Sequence, residues 1–179
     1  MGRAMLNDSR IMLLALMAAS ASALSATIAR PATVADPLVI AGKTFNSRLF
    51  LGTGKYRTSA EMAASVEASG AEVVTVAVRR VESAVTEMLA ASIDWDKVWL
   101  LPNTAGCTTA EDAVRVARLG RETAKALGQG DNNFVKLEVI TDSTYLLPDP
   151  LGTVAAARQL VKEGFAVLPY CSPDPFLST

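Results

Sequence analysis

Asn132-Asn133-Phe134-Val135-Lys136-Leu137-Glu138-Val139-Ile140-Thr141-Asp142 is a short apolar run with two opposite charges set inside it. Successive residues of a strand face opposite ways, so Val135, Leu137 and Val139 share one face while Lys136 and Glu138 share the other. The run is flanked by two segments of helical period. Before it, Ala113, Val114, Val116, Ala117, Leu119 and Ala124 recur at helical spacing; after it, Ala155, Ala156, Leu160 and Val161 do the same within 151–163. A strand between two such helices belongs to a parallel sheet covered on both sides, which points Lys136 and Glu138 into a protein interior.

Working outward, the same alternation repeats. Upstream, 98–102 is a β-forming run that ends in Asn103-Thr104-Ala105-Gly106-Cys107, and Thr108 or Thr109 can cap the helix that follows, with Glu111 and Asp112 at its positive end. Before that come a β-branched strand over 73–78, Arg79 and Arg80 at its end, and a helix over 82–91. Earlier still, a strand over 48–52 runs into Gly52-Thr53-Gly54-Lys55 and an alanine-rich helix over 59–69 that Gly70 closes. The short β-formers of 39–45, with a turn at Gly42-Lys43, suggest a hairpin plugging one end of the fold. Downstream, Gly164 ends the helix and 165–170 forms a fifth strand of the series.

Strand and helix in regular alternation argue for an α/β fold, either an open doubly wound sheet or a closed barrel. Polar or glycine-bearing loops at the C-terminal end of every strand favour the barrel. The reading is a partial (β/α)8 TIM barrel with about five of its eight strand-helix units present. Strand five would then present an unpaired edge and uncovered apolar surface.

Composition narrows the chemistry. The chain has 179 residues, half of them hydrophobic, a mean hydropathy of +0.28 and a net charge of -1 with no basic stripe, so it can bury a core and offers nothing to nucleic acid. It contains no histidine. Acid-base work therefore falls to carboxylates, lysine or backbone groups, and the commonest metal ligand is missing. Cys107 and Cys171 fit no paired metal or thiol-redox spacing and read as reduced small hydrophobes. No cofactor and no metal is called for.

Residues 1–36 differ in kind from the rest. Arg3 and Arg10 precede an apolar run over 11–18 that is too short to span a bilayer, and small residues follow at cleavage-site spacing. A signal peptide followed by an Ala/Ser/Thr-rich tail resembles bipartite targeting to the plastid of an alga; a secreted or cytoplasmic protein is the alternative. Residues 37–179 form the mature barrel piece, with no membrane segment.

On the central strand, burial would strip solvent from the Lys136 ammonium, lower its pKa and release neutral amine, a nucleophile that forms a Schiff base with a carbonyl. Glu138 would oppose that drop while ionised and could shuttle protons. A buried ion pair filling a barrel layer fits the spacing as well. Gly52 to Lys55 lacks the Walker spacing and reads as a tight turn. Arg79 and Arg80 either hold an anion or face solvent. Asn103 to Gly106 line a pocket or simply lead into a helix cap, and Asp142 and Asp149 read as turn and helix-start residues.

Six motifs taken together, Leu51-Gly52-Thr53-Gly54-Lys55-Tyr56, Val76-Ala77-Val78-Arg79-Arg80, Leu100-Leu101-Pro102-Asn103-Thr104-Ala105-Gly106, Val135-Lys136-Leu137-Glu138-Val139-Ile140, Leu146-Leu147-Pro148-Asp149-Pro150 and Val167-Leu168-Pro169-Tyr170, resemble the thiazole synthase family of thiamine biosynthesis. The resemblance runs from about residue 38 to 175. It implies a (β/α)8 barrel that makes thiazole phosphate from 1-deoxy-D-xylulose 5-phosphate, dehydroglycine and sulfur delivered as a sulfur-carrier protein thiocarboxylate. It places the Schiff-base lysine on Lys136 and an acid-base glutamate on Glu138, and implies a homo-oligomer at full length. The family's second catalytic aspartate and its glycine-rich phosphate loops would fall beyond Thr179, so the chain reads as C-terminally truncated, and no phosphate-binding residue is assigned. A class I aldolase-like Schiff-base barrel is a second reading; an inactive fragment that acts only as a partner-binding piece is a third.

Overall fold

The structure, a computed structural model, describes residues 36–80 and 91–177. The presequence assigned to 1–36 lies outside these residues except for Asp36, and so does nearly all of the helix expected over 82–91. The described chain opens with an antiparallel hairpin, β1 (Leu38–Ile40) and β2 (Lys43–Phe45). Its turn falls at Ala41-Gly42, one residue earlier than the sequence suggests, because both residues adopt positive φ (48° and 80°), as a two-residue turn between twisted strands requires.

Five parallel strands follow in chain order: β3 (Phe50–Gly52), β4 (Val73–Ala77), β5 (Trp99–Asn103), β6 (Phe134–Leu137) and β7 (Ala166–Pro169), each hydrogen-bonded to the next. A doubly wound sheet reverses its strand order at a switch point. No reversal occurs among the described strands, so they form a section of barrel wall. The helices α1 (Ser59–Ser69), α2 (Ala110–Ala126) and α3 (Pro150–Lys162) connect them.

Each helix starts where a side chain satisfies its first free amides. Thr58 accepts from the Glu61 N–H, Thr109 from that of Asp112, and Asp149 from that of Leu151. Gly70 closes α1 in the left-handed region at φ 62°.

Alternation divides the sheet into two faces. Val74, Val76 and Leu100 face Met62, Val66 and Ala124, while Val135, Leu137 and Val139 face Val114, Ala117, Ala156 and Leu160, so this outer face is sealed by helices. On the inner face Val73, Trp99, Leu101 and Phe134 pack with Phe45 of the hairpin, and Phe134 meets both Phe45 and Trp99 edge to face at 6.2 and 5.9 Å. The hairpin therefore plugs the fold at the N-terminal end of the strands, as the sequence suggested. Among the described residues no helix is long and apolar enough to cross a membrane.

A close approach of helix to sheet explains one glycine. A Cβ on Gly120 of α2 would lie 2.5 Å from Pro102 Cβ and 3.4 Å from Val78 Cγ2. Gly120→Ala is expected to lower unfolding free energy by about 1–3 kcal/mol, the usual cost of overpacking, despite the better helix propensity of alanine. Urea denaturation measures it; an unchanged midpoint would show that α2 can lift off β5 freely.

On the surface, Arg118 donates two hydrogen bonds to Glu163, at 2.9 and 2.6 Å, joining α2 to the end of α3. This guanidinium holds the Glu163 carboxyl down to about 2, against an ordinary value of 4.5. The folded-state pKa is depressed, so the stabilisation is present above about pH 4.5 and is lost as pH falls toward 2. Glu163→Gln should thus be less stable than wild type at neutral pH, with the difference shrinking through that window in acid-unfolding curves. A pH-independent difference would contradict the linkage.

Candidate active site

Lys136 and Glu138 lie at the C-terminal end of the inner face, above the aromatic layer that fills its base. Phe134 comes before them on the same face, while Asn103 of β5 and Leu168 of β7 sit level with Lys136 in the sheet register. Lys136 Nζ is 2.8 Å from Glu138 Oε1. The structure thus brings together the two residues that the sequence singled out.

Their setting differs from the dry interior expected. The Lys136 side chain is 39% exposed and that of Glu138 13%. The apolar packing of the inner face, built around Phe134, gives way to polar groups one layer higher, so Lys136 stands at the rim of the core rather than within it. Desolvation of a fully buried lysine is not available to activate it. What the geometry offers instead is a carboxylate 2.8 Å from the lysine nitrogen, within reach to relay protons to and from it.

Polar neighbours fix this rim. Asn103, 8% exposed, donates from Nδ2 to Thr75 Oγ1 at 3.1 Å and accepts from the Ala105 N–H, so its amide is locked beside Lys136. Thr104 is fully buried, and its hydroxyl bonds to both the N–H and the carbonyl of Glu138. The reading of 103–106 left open whether this was an ordinary loop; its position beside Lys136 emerges only from the β5–β6 register.

The remaining candidates take structural roles. Arg79 donates to the Gly106 carbonyl and pairs with Asp112 at 2.8 Å, tying the end of β4 to the start of α2. Thr53 bonds through its N–H and hydroxyl to the Thr75 carbonyl, so the Gly52–Lys55 segment is a turn held on the sheet. Asp142 accepts from the Thr144 N–H as a turn residue. Both cysteines are free. Burial, reinforced by a hydrogen bond to the Asp112 carboxylate, pushes the Cys107 thiol up to about 11, which leaves it an inert core group. Among the described residues no cluster of three potential metal-ligating His, Cys, Asp or Glu side chains occurs. A groove of about 890 Å³ runs between α3, β7 and the last described residues, lined by Leu151, Val161 and Phe176 among others; neither Lys136 nor Glu138 contributes to it.

A sequentially ordered parallel wall, plugged at its N-terminal end and carrying a lysine–carboxylate pair at the C-terminal ends of its strands, defines a β/α-barrel protein of the kind whose reactive groups sit on that face. Comparison with known proteins narrows the class. Residues 39–179 match the family described as thiazole biosynthesis protein ThiG, and the chain belongs to that family. It is 67% identical over 153 residues to a thiazole synthase of Synechococcus elongatus, a match covering 84% of this chain and 54% of that protein. It is 68% identical over 148 residues to a thiazole synthase of Trichodesmium erythraeum, covering 82% and 53%. Among solved structures it resembles a chain of the BexX/CysO complex of Amycolatopsis orientalis, with a TM-score of 0.65, 31% identity, and coverage of 80% of this chain and 57% of that one. The chain spans about half the length of the curated relatives it matches.

Proposed function

We propose that this protein acts in thiazole synthesis for thiamine, joining 1-deoxy-D-xylulose 5-phosphate, dehydroglycine and sulfur from a carrier-protein thiocarboxylate. The observation that carries this reading is the 2.8 Å contact between Lys136 and Glu138 at the mouth of the wall, in a chain 67% identical to proteins named thiazole synthase. In this mechanism Lys136 passes a proton to Glu138, and its free amine attacks the ketone carbon of the sugar phosphate. A C–N bond forms, one amine proton moves to the ketone oxygen, and Glu138 returns its proton to that oxygen, which leaves as water to give an iminium and an ionised Glu138. Glu138 then takes the proton from the adjacent carbon, and the electron pair released forms the enamine.

The structural neighbour is solved together with a second protein, CysO, which supports a partner protein docking on this kind of barrel. A plastid setting is part of this proposal and rests on the apolar leader over 11–18 followed by an Ala/Ser/Thr-rich tail.

Turnover assayed with and without the carrier thiocarboxylate tests the assignment. Product of thiazole phosphate mass that appears only with the carrier is the expected result. Carbon–carbon cleavage of the sugar phosphate in its absence would move the protein to the aldolase-like class.

A further inference from the structure

We propose that Thr104 is a positioning residue for the Lys136–Glu138 pair, its hydroxyl holding the Glu138 backbone at the distance the proton transfer needs. This inference rests on the Schiff-base reading of that pair. The β5–β6 ladder reaches only as far as Asn103 and Lys136, and β6 itself ends at Leu137, so Glu138 projects beyond the regular sheet. A backbone without ladder partners would leave the carboxylate free to swing. Instead the Thr104 Oγ1 accepts from the Glu138 N–H at 2.8 Å and donates to the Glu138 carbonyl at 2.8 Å, while the Thr104 N–H donates to the Lys136 carbonyl at 3.2 Å. A hydroxyl is suited to this because it offers one donor and two acceptor positions on one atom. Only threonine adds to it a β-branch that restricts χ1 and keeps the hydroxyl aimed.

The bracket is local. Immediately downstream, the Ile140 N–H bonds to the Cys107 carbonyl and the Asp149 N–H to the Val139 carbonyl, so the chain past Glu138 stays anchored without the hydroxyl. Thr104 is completely buried and out of reach of substrate, so its influence passes through Glu138. A shift of the carboxylate by about 1 Å suffices to slow a positioned proton transfer roughly 100-fold.

Two variants and two readouts separate this role from simple support of the fold. In the full chain, Thr104→Val should raise the exchange rate of the Glu138 amide at least about tenfold while amides of Phe134 and Val135 keep theirs. It should also slow borohydride trapping of 1-deoxy-D-xylulose 5-phosphate at saturating substrate by about tenfold or more, with little change in half-saturation. Thr104→Ser, which restores the hydroxyl, should trap within about threefold of wild type. Should Thr104→Val not fold, Thr104→Ala, which sets no methyl against the Glu138 carbonyl, is measured in its place. An unchanged Glu138 exchange rate, or Thr104→Ser trapping as slowly as the hydroxyl-free variant, would overturn the inference. Absence of any adduct in a wild-type version extended to the length of its relatives, with the exchange pattern as expected, would overturn the Schiff-base reading and with it the purpose assigned to Thr104.

Discussion

Lys136→Arg is expected to abolish the covalent adduct with the sugar phosphate and reduce turnover by about a thousandfold or more, while leaving the fold intact. The guanidinium keeps the positive charge and can still face Glu138, so the ion pair survives in kind. It cannot form an imine. The substitution therefore separates the two readings that the strand spacing left open. If Lys136 only balances Glu138 at the rim, Arg serves nearly as well, and Lys136→Ala destabilises by no more than about 1 kcal/mol, as for a partly exposed pair. If Lys136 is the nucleophile, Arg and Ala are equally dead. The 39% exposure of the lysine side chain favours a catalytic purpose, because a pair with that much solvent contributes little to stability.

The largest effect on folding is expected at Gln129. Its side chain, 6% exposed, accepts from the Leu100 N–H at 3.0 Å and from Asn132 Nδ2 at 2.9 Å, and donates to the Trp95 and Val98 carbonyls at 2.9 and 2.8 Å. Asn132 in turn donates to the Leu100 carbonyl and accepts from the Phe134 N–H. In the paired part of the wall, strand carbonyls and amides satisfy one another. Between the first half of β5 and β6 the strands diverge, their register showing a single pair at Asn103 and Lys136, and the two amide side chains act as a substitute strand. Gln129→Leu leaves the Leu100 N–H without its partner and withdraws donors from two carbonyls. At about 1–3 kcal/mol for each buried group orphaned, a loss of about 3 kcal/mol or more is expected, read as a lower urea midpoint at constant slope. A loss under about 1 kcal/mol would mean that water replaces the amide there.

The fold was legible because its signals are local and repeated. Val73 to Val76 is wholly β-branched, and the strand it marks ends at Ala77, with Val78 already in a 3-10 turn; Thr109 and Asp149 are capping residues placed before apolar stripes of helical period. Such features need no distant partner to be read. Lys136 and Glu138 were legible for the same reason, as charges two apart in an apolar strand.

What escaped reading depends on residues far apart in the chain. Gln129 and Asn132 sit in a polar stretch, Gly128-Gln129-Gly130-Asp131-Asn132-Asn133, that looks like any loop, and only the spacing of two strands gives those amides work. Thr104 lies 34 residues from Glu138, and nothing in its own neighbourhood marks it as the clasp of another strand's end. The depth of Lys136 was overestimated because period-two patterning tells which face a residue takes but not how far along that face the apolar packing extends. A weak signal was available: Asn103, two residues after Leu101 on the same inner face, already announces that the core has ended.

The central claim is that Lys136 is the nucleophile. Borohydride reduction of a version extended to the length of its relatives, in the presence of 1-deoxy-D-xylulose 5-phosphate and followed by peptide mapping, tests it directly. The account predicts one reduced sugar-phosphate adduct per chain, on the peptide containing Lys136, and none in Lys136→Arg. An adduct on any other lysine, or one that persists in Lys136→Arg, would contradict it.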